Sequence, residues 1–142
     1  KLFYKGEYVD TLLQGVWVYY YENGQLSAKM NYVDDLSQGE YVVYYSNGQL
    51  FSKGNYVARS RQGEWVEYYD NGQLNYHVVY VDNRFHGAWV CYYENGQLKK
   101  TGNYVDDMRN GEWVYYNESG TINKTEFYEL GQLLKIKKGK SK

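Results

Sequence analysis

The sequence predicts an all-β fold in which tandem 24-residue β-hairpin repeats form an elongated, twisted, single-layer antiparallel meander sheet. Three observations predict it: a strict 24-residue repeat, strand-like segments rich in Tyr, Trp and Val, and a turn motif in every repeat. The chain has 20 Tyr, 4 Trp and no Pro, so amphipathic rings supply much of its packing area. A repeat that copies aromatic and turn residues, but no ionisable cluster, indicates a surface rather than a catalytic centre.

Each repeat starts at a glycine and continues with aromatic residues at fixed offsets. The glycines are Gly15, Gly39, Gly63, Gly87 and Gly111. Two places later stand Trp17, Tyr41, Trp65, Trp89 and Trp113, and three further on stand Tyr20, Tyr44, Tyr68, Tyr92 and Tyr116. We predict that these two ring positions form the structural core of the array. The array occupies residues 1–133, with part of a unit at each end, and residues 134–142 form a basic Lys-rich tail.

The elements of one repeat follow from local residue types. The segment from Gly15 to Tyr21 is rich in β-branched and aromatic residues and predicts the first strand of a hairpin. Asn23-Gly24 predicts a type I′ turn, which needs positive φ at both central residues. Leu26 to Val33 is the second strand, and residues 34–39 are predicted as a longer polar turn. Later repeats follow the same plan, with Ser-Gly-Thr-Ile replacing Asn-Gly-Gln-Leu in the fifth.

The ends of the predicted sheet leave two strands unpaired, at residues 2–9 and near residues 122–129. Unpaired edges are where a partner protein, a capping element or another copy can add a strand, so self-association is one of the alternatives for these edges. No segment has a sustained 3.6-residue period, and only the tail from Glu129 has weak helical character.

Side-chain alternation separates scaffold positions from variable ones. Trp17 and Tyr19 share one face, and Val18 and Tyr20 share the other. The position two after the Trp changes between repeats and holds Tyr19, Val43, Glu67, Cys91 and Tyr115. Because variable positions of an array are free to specify a partner, we predict partner contacts at these five residues and at Phe51, Tyr76 and Phe85. Gly54 and Gly102, which replace Met30, predict that a neighbouring ring lies over bare backbone.

The charge distribution bears on the kind of partner. The net charge is −1, but residues 135–142 hold five Lys and no acid, which leaves −6 on the body. An acidic body argues against nucleic acid, and only the Lys tail suits anionic lipid. The single Cys91 excludes an internal disulfide. Cytoplasmic localisation is favoured, and secreted or surface localisation stays open because residue 1 is Lys rather than Met.

Catalytic chemistry has weak support in the sequence. Cys91, His77 and His86 are the residues that a nucleophilic mechanism would use, and repeats three and four could bring them together. Each is a substitution at a position that other repeats fill with unrelated residues, and no group is evident that would orient a base. We therefore expect no catalytic residue, no enzyme activity and no cofactor.

A metal site is also disfavoured. Asp34-Asp35 and Asp106-Asp107 occupy equivalent turns, with Asp82-Asn83 between them, and Ca²⁺ favours such oxygen clusters. The equivalent pair in the second repeat is Ala58-Arg59, however, and turns select Asp and Asn for their own hydrogen bonds. We therefore expect these residues to be turn formers and not metal ligands.

Residues 104–116, Tyr-Val-Asp-Asp-Met-Arg-Asn-Gly-Glu-Trp-Val-Tyr-Tyr, resemble the MORN repeat in its bacterial variant form. That family has tandem β-hairpins with a Gly-x-Trp core, a Tyr-Tyr pair and an Asn-Gly-Gln-Leu turn. The resemblance covers about residues 4–133, and Tyr41 and Ser119-Gly120-Thr121 depart from it. It implies binding rather than catalysis, because variant proteins include antitoxins of bacterial toxin–antitoxin pairs and eukaryotic members attach to membranes or act as scaffolds. It supplies no catalytic residue.

The sequence thus predicts a non-enzymatic, antitoxin-like scaffold that binds a partner protein. An acidic body suits a basic partner, such as a toxin that attacks nucleic acid. Three alternatives stay open: a carbohydrate- or choline-binding surface protein, a membrane-associated scaffold, and a self-assembling filament. The first alternative rests on a motif: Trp-Val-Tyr-Tyr followed by Asn-Gly-Gln-Leu resembles the choline- and glucan-binding repeats of bacterial surface proteins, which also stack hairpins but have a shorter period.

Overall fold

The computed structural model describes residues 3–139, which form twelve β-strands in one open antiparallel sheet. Neighbouring strands in the sheet are also neighbours along the chain, so the predicted meander is confirmed. The strands are β1 (Phe3–Val9), β2 (Leu12–Tyr20), β3 (Leu26–Val33), β4 (Leu36–Tyr44), β5 (Leu50–Val57), β6 (Ser60–Tyr68), β7 (Leu74–Val81), β8 (Arg84–Tyr92), β9 (Leu98–Val105), β10 (Met108–Tyr116), β11 (Ile122–Glu129) and β12 (Gln132–Lys138). Within the described residues, no helix is long and apolar enough to cross a membrane.

The end of the chain differs from the expectation. The predicted helical character beyond Glu129 is wrong, because β12 pairs with β11 in antiparallel register. The open edges of the sheet are therefore β1 and β12, and β11, predicted as an edge, is an inner strand. Much of the predicted basic tail lies in β12, whereas residues 140–142, like Leu2 at the other predicted edge, lie outside the described residues.

Both kinds of turn differ from the prediction: the type I′ geometry is absent from the Asn-Gly turns and occurs in the turns between repeats. At Asn23-Gly24, the Gly24 N–H donates to the Tyr21 carbonyl at 2.9 Å and only Gly24 has positive φ, at 82°. The predicted type I′ turn there is wrong. The positive φ pair that such a turn requires occurs at Asp34 (48°) and Asp35 (63°). The predicted polar turn over residues 34–39 is also wrong, because β4 begins at Leu36.

The glycine that starts each repeat marks a bulge within a strand. Gly39 has φ 83°, and the pairing of β3 with β4 changes register between Met30 and Tyr32. A side chain would strain this backbone, which explains why every repeat has glycine there.

Tyrosine hydroxyls join each repeat to the next. The Tyr21 hydroxyl donates to the Tyr44 carbonyl at 2.6 Å, and the Tyr45 hydroxyl donates to the Tyr68 carbonyl at 2.8 Å. Tyr69 and Tyr93 repeat this contact one and two units later. Asn23 adds a parallel bond from its side-chain amide to the Ser46 carbonyl at 3.0 Å. The Tyr-Tyr pair and the Asn-Gly motif thus hold neighbouring hairpins in register.

Most of the core lies on one face of the sheet, which we call the Trp face. Trp17, Trp65 and Trp113 are buried there, with exposed fractions of 3%, 5% and 0%. Tyr41 and Trp89, at the same repeat position, are only partly buried. The second predicted core set lies on the opposite face, is half-buried, and comprises Tyr20, Tyr44, Tyr68, Tyr92 and Tyr116.

Candidate functional site

Variable positions of all the repeats join into one line on the Trp face. Each strand contributes one residue, and each residue is the cross-strand partner of the next, so the line crosses all twelve strands. We call this line the variable row. It consists of Tyr4, Tyr19, Ala28, Val43, Ser52, Glu67, Tyr76, Cys91, Lys100, Tyr115, Lys124 and Lys138.

Six of the eight residues predicted to contact a partner are in this row. Two are elsewhere: Phe51 lies where the β4–β5 register shifts and packs edge-on against Tyr45 at 5.0 Å. Phe85 lies in a neighbouring line of rings, 4.9 Å from Tyr80 and 5.1 Å from Tyr104.

Six row residues were not predicted from the sequence. Two lie at the ends of the row, Tyr4 and Lys138, and four come from the second strands of hairpins and share one repeat position with Tyr76: Ala28, Ser52, Lys100 and Lys124. Their variation was visible in the sequence, but the row could be assembled only once the pairing of strands from adjacent hairpins was known.

The amino-terminal end of the row is aromatic. The Tyr4 ring stacks on Trp17 at 5.6 Å and lies 6.3 Å from Tyr19. Tyr4 is 63% exposed, so this end presents a ring to solvent. Exposed tyrosine rings with a polar tip are typical of protein interfaces.

The centre of the row carries a hydrogen-bonded carboxylate. Glu67 accepts hydrogen bonds from the Tyr76 hydroxyl at 2.9 Å and from the Asn75 amide at 3.2 Å. Burial and the hydrogen bond to Glu67 raise the pKa of Tyr76 above its ordinary value, so this phenol stays protonated as a donor.

Near the carboxyl-terminal end, a buried carboxylate lies beside the row. The Glu126 side chain is 8% exposed and accepts hydrogen bonds from Lys124 at 2.6 Å, Tyr115 at 2.7 Å and Tyr128 at 2.9 Å. Arg109 lies 3.6 Å from the same carboxylate. Burial alone raises the pKa of Glu126, but these donors outweigh it and lower the pKa to about 2. Burial and the hydrogen bond to Glu126 also raise the pKa of Tyr115 to about 12.

A cavity of about 300 Å³ opens beside this cluster, between β8, β9 and β10. We call it the Lys100 cavity; its walls include Trp89, Cys91, Tyr93, Lys99, Lys100 and Tyr115. The Lys100 ammonium lies 4.5 Å from the centre of the Trp89 ring and 5.5 Å from those of Trp113 and Tyr115. The cavity thus combines a cation with aromatic walls.

The structure does not bring the candidate catalytic residues together. Cys91 is buried on the Trp face between Tyr76 and Lys100, and burial raises its thiol pKa. His77 pairs with Val90, the residue before Cys91, and so lies on the opposite face. His86 lies near the Asp-containing turns, 3.5 Å from Asp106. These residues therefore do not form the Cys–His pair that a nucleophilic mechanism needs.

The acidic turns have a structural use. The Asp35 carboxylate accepts from the Leu13 backbone N–H at 2.6 Å, and Asp107 accepts from Phe85 in the same way at 2.7 Å. Asn83 makes the equivalent bond to Arg61 at 2.7 Å. Each bond ties a turn to the preceding repeat. Within residues 3–139, no group of three or more His, Cys, Asp or Glu is arranged to hold a metal ion.

The profile of the MORN repeat variant family matches five consecutive segments that together exceed half of the chain. They are residues 13–34, 37–58, 61–82, 85–106 and 109–129. No curated protein matches the chain.

Two solved structures are similar to the chain at low identity. The crystal structure of TarM shares 14% identity at a TM-score of 0.42, over 76% of this chain and 20% of that one. The GtfA/B complex bound to UDP and GlcNAc shares 14% identity at a TM-score of 0.33, over 96% of this chain and 24% of that one. The chain thus spans about a quarter or less of the length of each, and neither similarity bears on function.

Proposed function

Because the chain belongs to the MORN repeat variant family, we propose that it is a non-enzymatic scaffold that binds a partner protein through the variable row of its Trp face. MORN arrays are repeat scaffolds that commonly bind proteins or membranes. The observation that supports the proposal is the continuity of the row: residues that differ between repeats adjoin one another across the whole sheet. With strands about 4.8 Å apart, the row is about 50 Å long, which is ample for a protein interface.

The opposite face supports the choice of the Trp face. Its equivalent row has Val at every second place, in every repeat, with Lys, His or Thr between. Two of its lysines are already paired, because Lys29 and Lys53 lie 3.9 and 3.1 Å from Glu40. The His77 imidazole lies 3.8 Å from the Glu64 carboxylate. On the Trp face, by contrast, both strands of each hairpin contribute variable residues, which gives more freedom to specify a partner.

The more specific proposal is an antitoxin-like role towards a basic partner protein, such as a toxin that attacks nucleic acid. Charge supports this proposal, since residues 1–134 carry a net charge of −6. The turns at both ends of the strands contain acidic residues. Asp34, Asp106 and Glu94 are exposed in those turns. They would attract a basic protein and accelerate its association, while contacts in the row would hold it.

The experiment begins with affinity capture from the source cells on immobilised residues 1–142, followed by binding of each purified candidate by calorimetry. The row variant Tyr19→Val/Glu67→Val/Tyr115→Val uses the residue that Val43 already places at that position. The matched control Lys29→Thr/Lys53→Thr/His77→Thr uses the residue that Thr101 and Thr125 place in the opposite row. Circular dichroism establishes that both variants are folded.

We expect a partner protein whose affinity falls at least tenfold in the row variant and less than twofold in the control. Equal loss in both variants, or loss only in the control, would refute the row as the binding surface. Recovery of only self, glycan or lipid would instead favour the filament, the surface carbohydrate or choline binder, or the membrane scaffold, respectively.

A further inference from the structure

The Lys100 ammonium lacks an ionic partner. No carboxylate within residues 3–139 lies within salt-bridge distance of it, although its side chain is partly buried. Glu126 is the acid that acts on it electrostatically, and that carboxylate is already occupied by Lys124, Tyr115 and Tyr128. The ammonium in the cavity therefore has no direct ion pair, and its nearest partners are ring faces, which are weaker partners than an anion.

The surroundings of Lys100 disfavour its charge. Burial, and repulsion by Arg109, lower its pKa below the ordinary value for lysine. An anion placed in the cavity would oppose both effects, because its attraction to the ammonium in a partly desolvated site favours the charged form of the lysine.

The repeat does not need a lysine at this position. Ala28, Ser52 and Tyr76 occupy it in the first three repeats, and each lies in the same cross-strand row. The scaffold therefore does not require this partly buried cation, and a binding use would account for its position beside the cavity.

We propose that the Lys100 cavity receives a carboxylate presented on an apolar stem by the partner protein, with Lys100 as its ion-pair partner and Trp89, Tyr93 and Tyr115 as the walls that cover the stem. This inference rests on the proposed protein-binding function and identifies one anchor of the partner. The carboxylate comes from an Asp or Glu side chain or from a chain terminus.

The chemistry of the cavity favours a carboxylate over a larger anion. The cavity contains one ammonium with a second, Lys99, at its rim over the Tyr93 ring at 5.4 Å. It has no arginine in its walls, whereas phosphate sites commonly use bidentate guanidinium groups or clustered backbone N–H groups. Glu94 and Glu118 adjoin Lys99 in the next depression of the surface and would repel an extended polyanion.

The test measures small probes on the intact chain. The indole N–H signals of ¹⁵N-labelled protein are followed by NMR, with the Trp89 signal assigned from Trp89→Tyr, a change that Tyr41 shows the repeat accepts. Three probes are titrated: N-acetylphenylalanine for a terminal carboxylate, N-acetylglutamate α-amide for a side-chain carboxylate, and N-acetylphenylalaninamide as the uncharged match. Inorganic phosphate is the fourth.

We expect at least one carboxylate probe to shift the Trp89 signal saturably, with an affinity at least fivefold above that of the uncharged amide. Lys100→Ser, which follows Ser52, should abolish the shift, and Lys53→Ser on the opposite face should leave it unchanged. Equal binding of the amide or of phosphate, or unchanged binding to Lys100→Ser with its melting temperature preserved, would overturn the proposal.

Measuring the affinity of the purified partner protein for the variants distinguishes the cavity proposal from the scaffold proposal. If the row variant loses the partner but Lys100→Ser retains it, the cavity proposal fails and the scaffold proposal stands. If the probes bind but no protein partner is found, the scaffold proposal fails. The cavity then binds carboxylates but does not serve as a binding site for a partner protein, so the cavity proposal fails with it. Loss of partner affinity by at least fivefold in Lys100→Ser, with Lys53→Ser unaffected, is the supporting result.

Discussion

The Trp65 indole lies against the backbone of Gly54, where a Cβ would fall 2.1 Å from the ring carbon Cδ2. Every second repeat has such a pair, because Met30 and Val78 replace the glycine in the others and their cross-strand rings are less buried. In addition to its 24-residue repeat, the array therefore has a second, longer period of two repeats. The glycine–tryptophan pairs are Gly6–Trp17, Gly54–Trp65 and Gly102–Trp113.

Replacing Gly54 with Ala should destabilise the protein by about 2–4 kcal/mol, because the ring has to leave its place in the core. Urea unfolding measures the change. Ser52→Ala, two residues earlier on the same strand, is the control and should cost about 1 kcal/mol through its lost hydrogen bond to the Val66 carbonyl. In a Trp65→Ala background the cost of Gly54→Ala should largely disappear; an undiminished cost would rule out the ring contact as its cause.

Glu126 should make the stability acid-sensitive. Its folded-state pKa of about 2 lies below the ordinary value near 4.3, so its stabilisation is complete above about pH 4.3 and is lost as the pH falls towards 2. Glu126→Gln should reduce the free energy of unfolding at pH 7 by about 1–3 kcal/mol and converge on the wild type near pH 2. Thermal unfolding from pH 2 to 7 measures both curves; parallel curves would contradict this prediction.

Tyr45→Phe should cost about 0.5–1.5 kcal/mol, because it removes the hydroxyl that donates to the Tyr68 carbonyl of the next repeat. Chemical denaturation provides the value. Tyr92→Phe serves as the control, since its hydroxyl makes no hydrogen bond within residues 3–139, and it should change stability by less. A larger effect in the control would show that the inter-repeat bond is not what Tyr45 contributes.

The turn residue Asp107 should be replaceable by Asn but not by Ala. It has φ 66° and accepts from the Phe85 N–H, as Asn83 does for Arg61. Asp107→Ala should cost about 1–2 kcal/mol and Asp107→Asn close to zero. Millimolar Ca²⁺ should leave the melting temperature of the wild type unchanged; a rise that Asp107→Ala abolishes would instead support a metal site.

Much of the fold was predictable, because each strand is determined by the residue types within its own short segment of sequence. Trp, Val and Tyr at alternating positions fix the strands, and the bare backbone at Gly54 and Gly102 was inferred from glycine replacing Met30. The turns were not predictable in the same way. Asn23-Gly24 is a strong hairpin signal, yet Asn23 lacks positive φ, and the type I′ geometry lies at Asp34-Asp35, where hydrogen bonds to the preceding repeat hold it.

The candidate site was predicted in outline. The variation at Tyr19, Glu67 and Tyr115 identified first-strand positions that the structure joins into the variable row. The position of Lys100 beside a cavity was not predictable, since a lysine on an alternating strand normally indicates a solvated face. Its position among three rings depends on residues from three different strands.

The sequence by itself determined the repeat, the meander order of the strands as far as β11 and the tryptophan part of the core, because short connections between strongly patterned strands leave a meander as the natural arrangement. The tertiary structure decided which side chains meet between repeats: the continuity of the variable row, the cavity beside Lys100 and the cluster around Glu126. The physical reason is register. Bulges near Gly39 and its equivalents shift the pairing partway along each strand, and contacts from the neighbouring hairpin fix that shift.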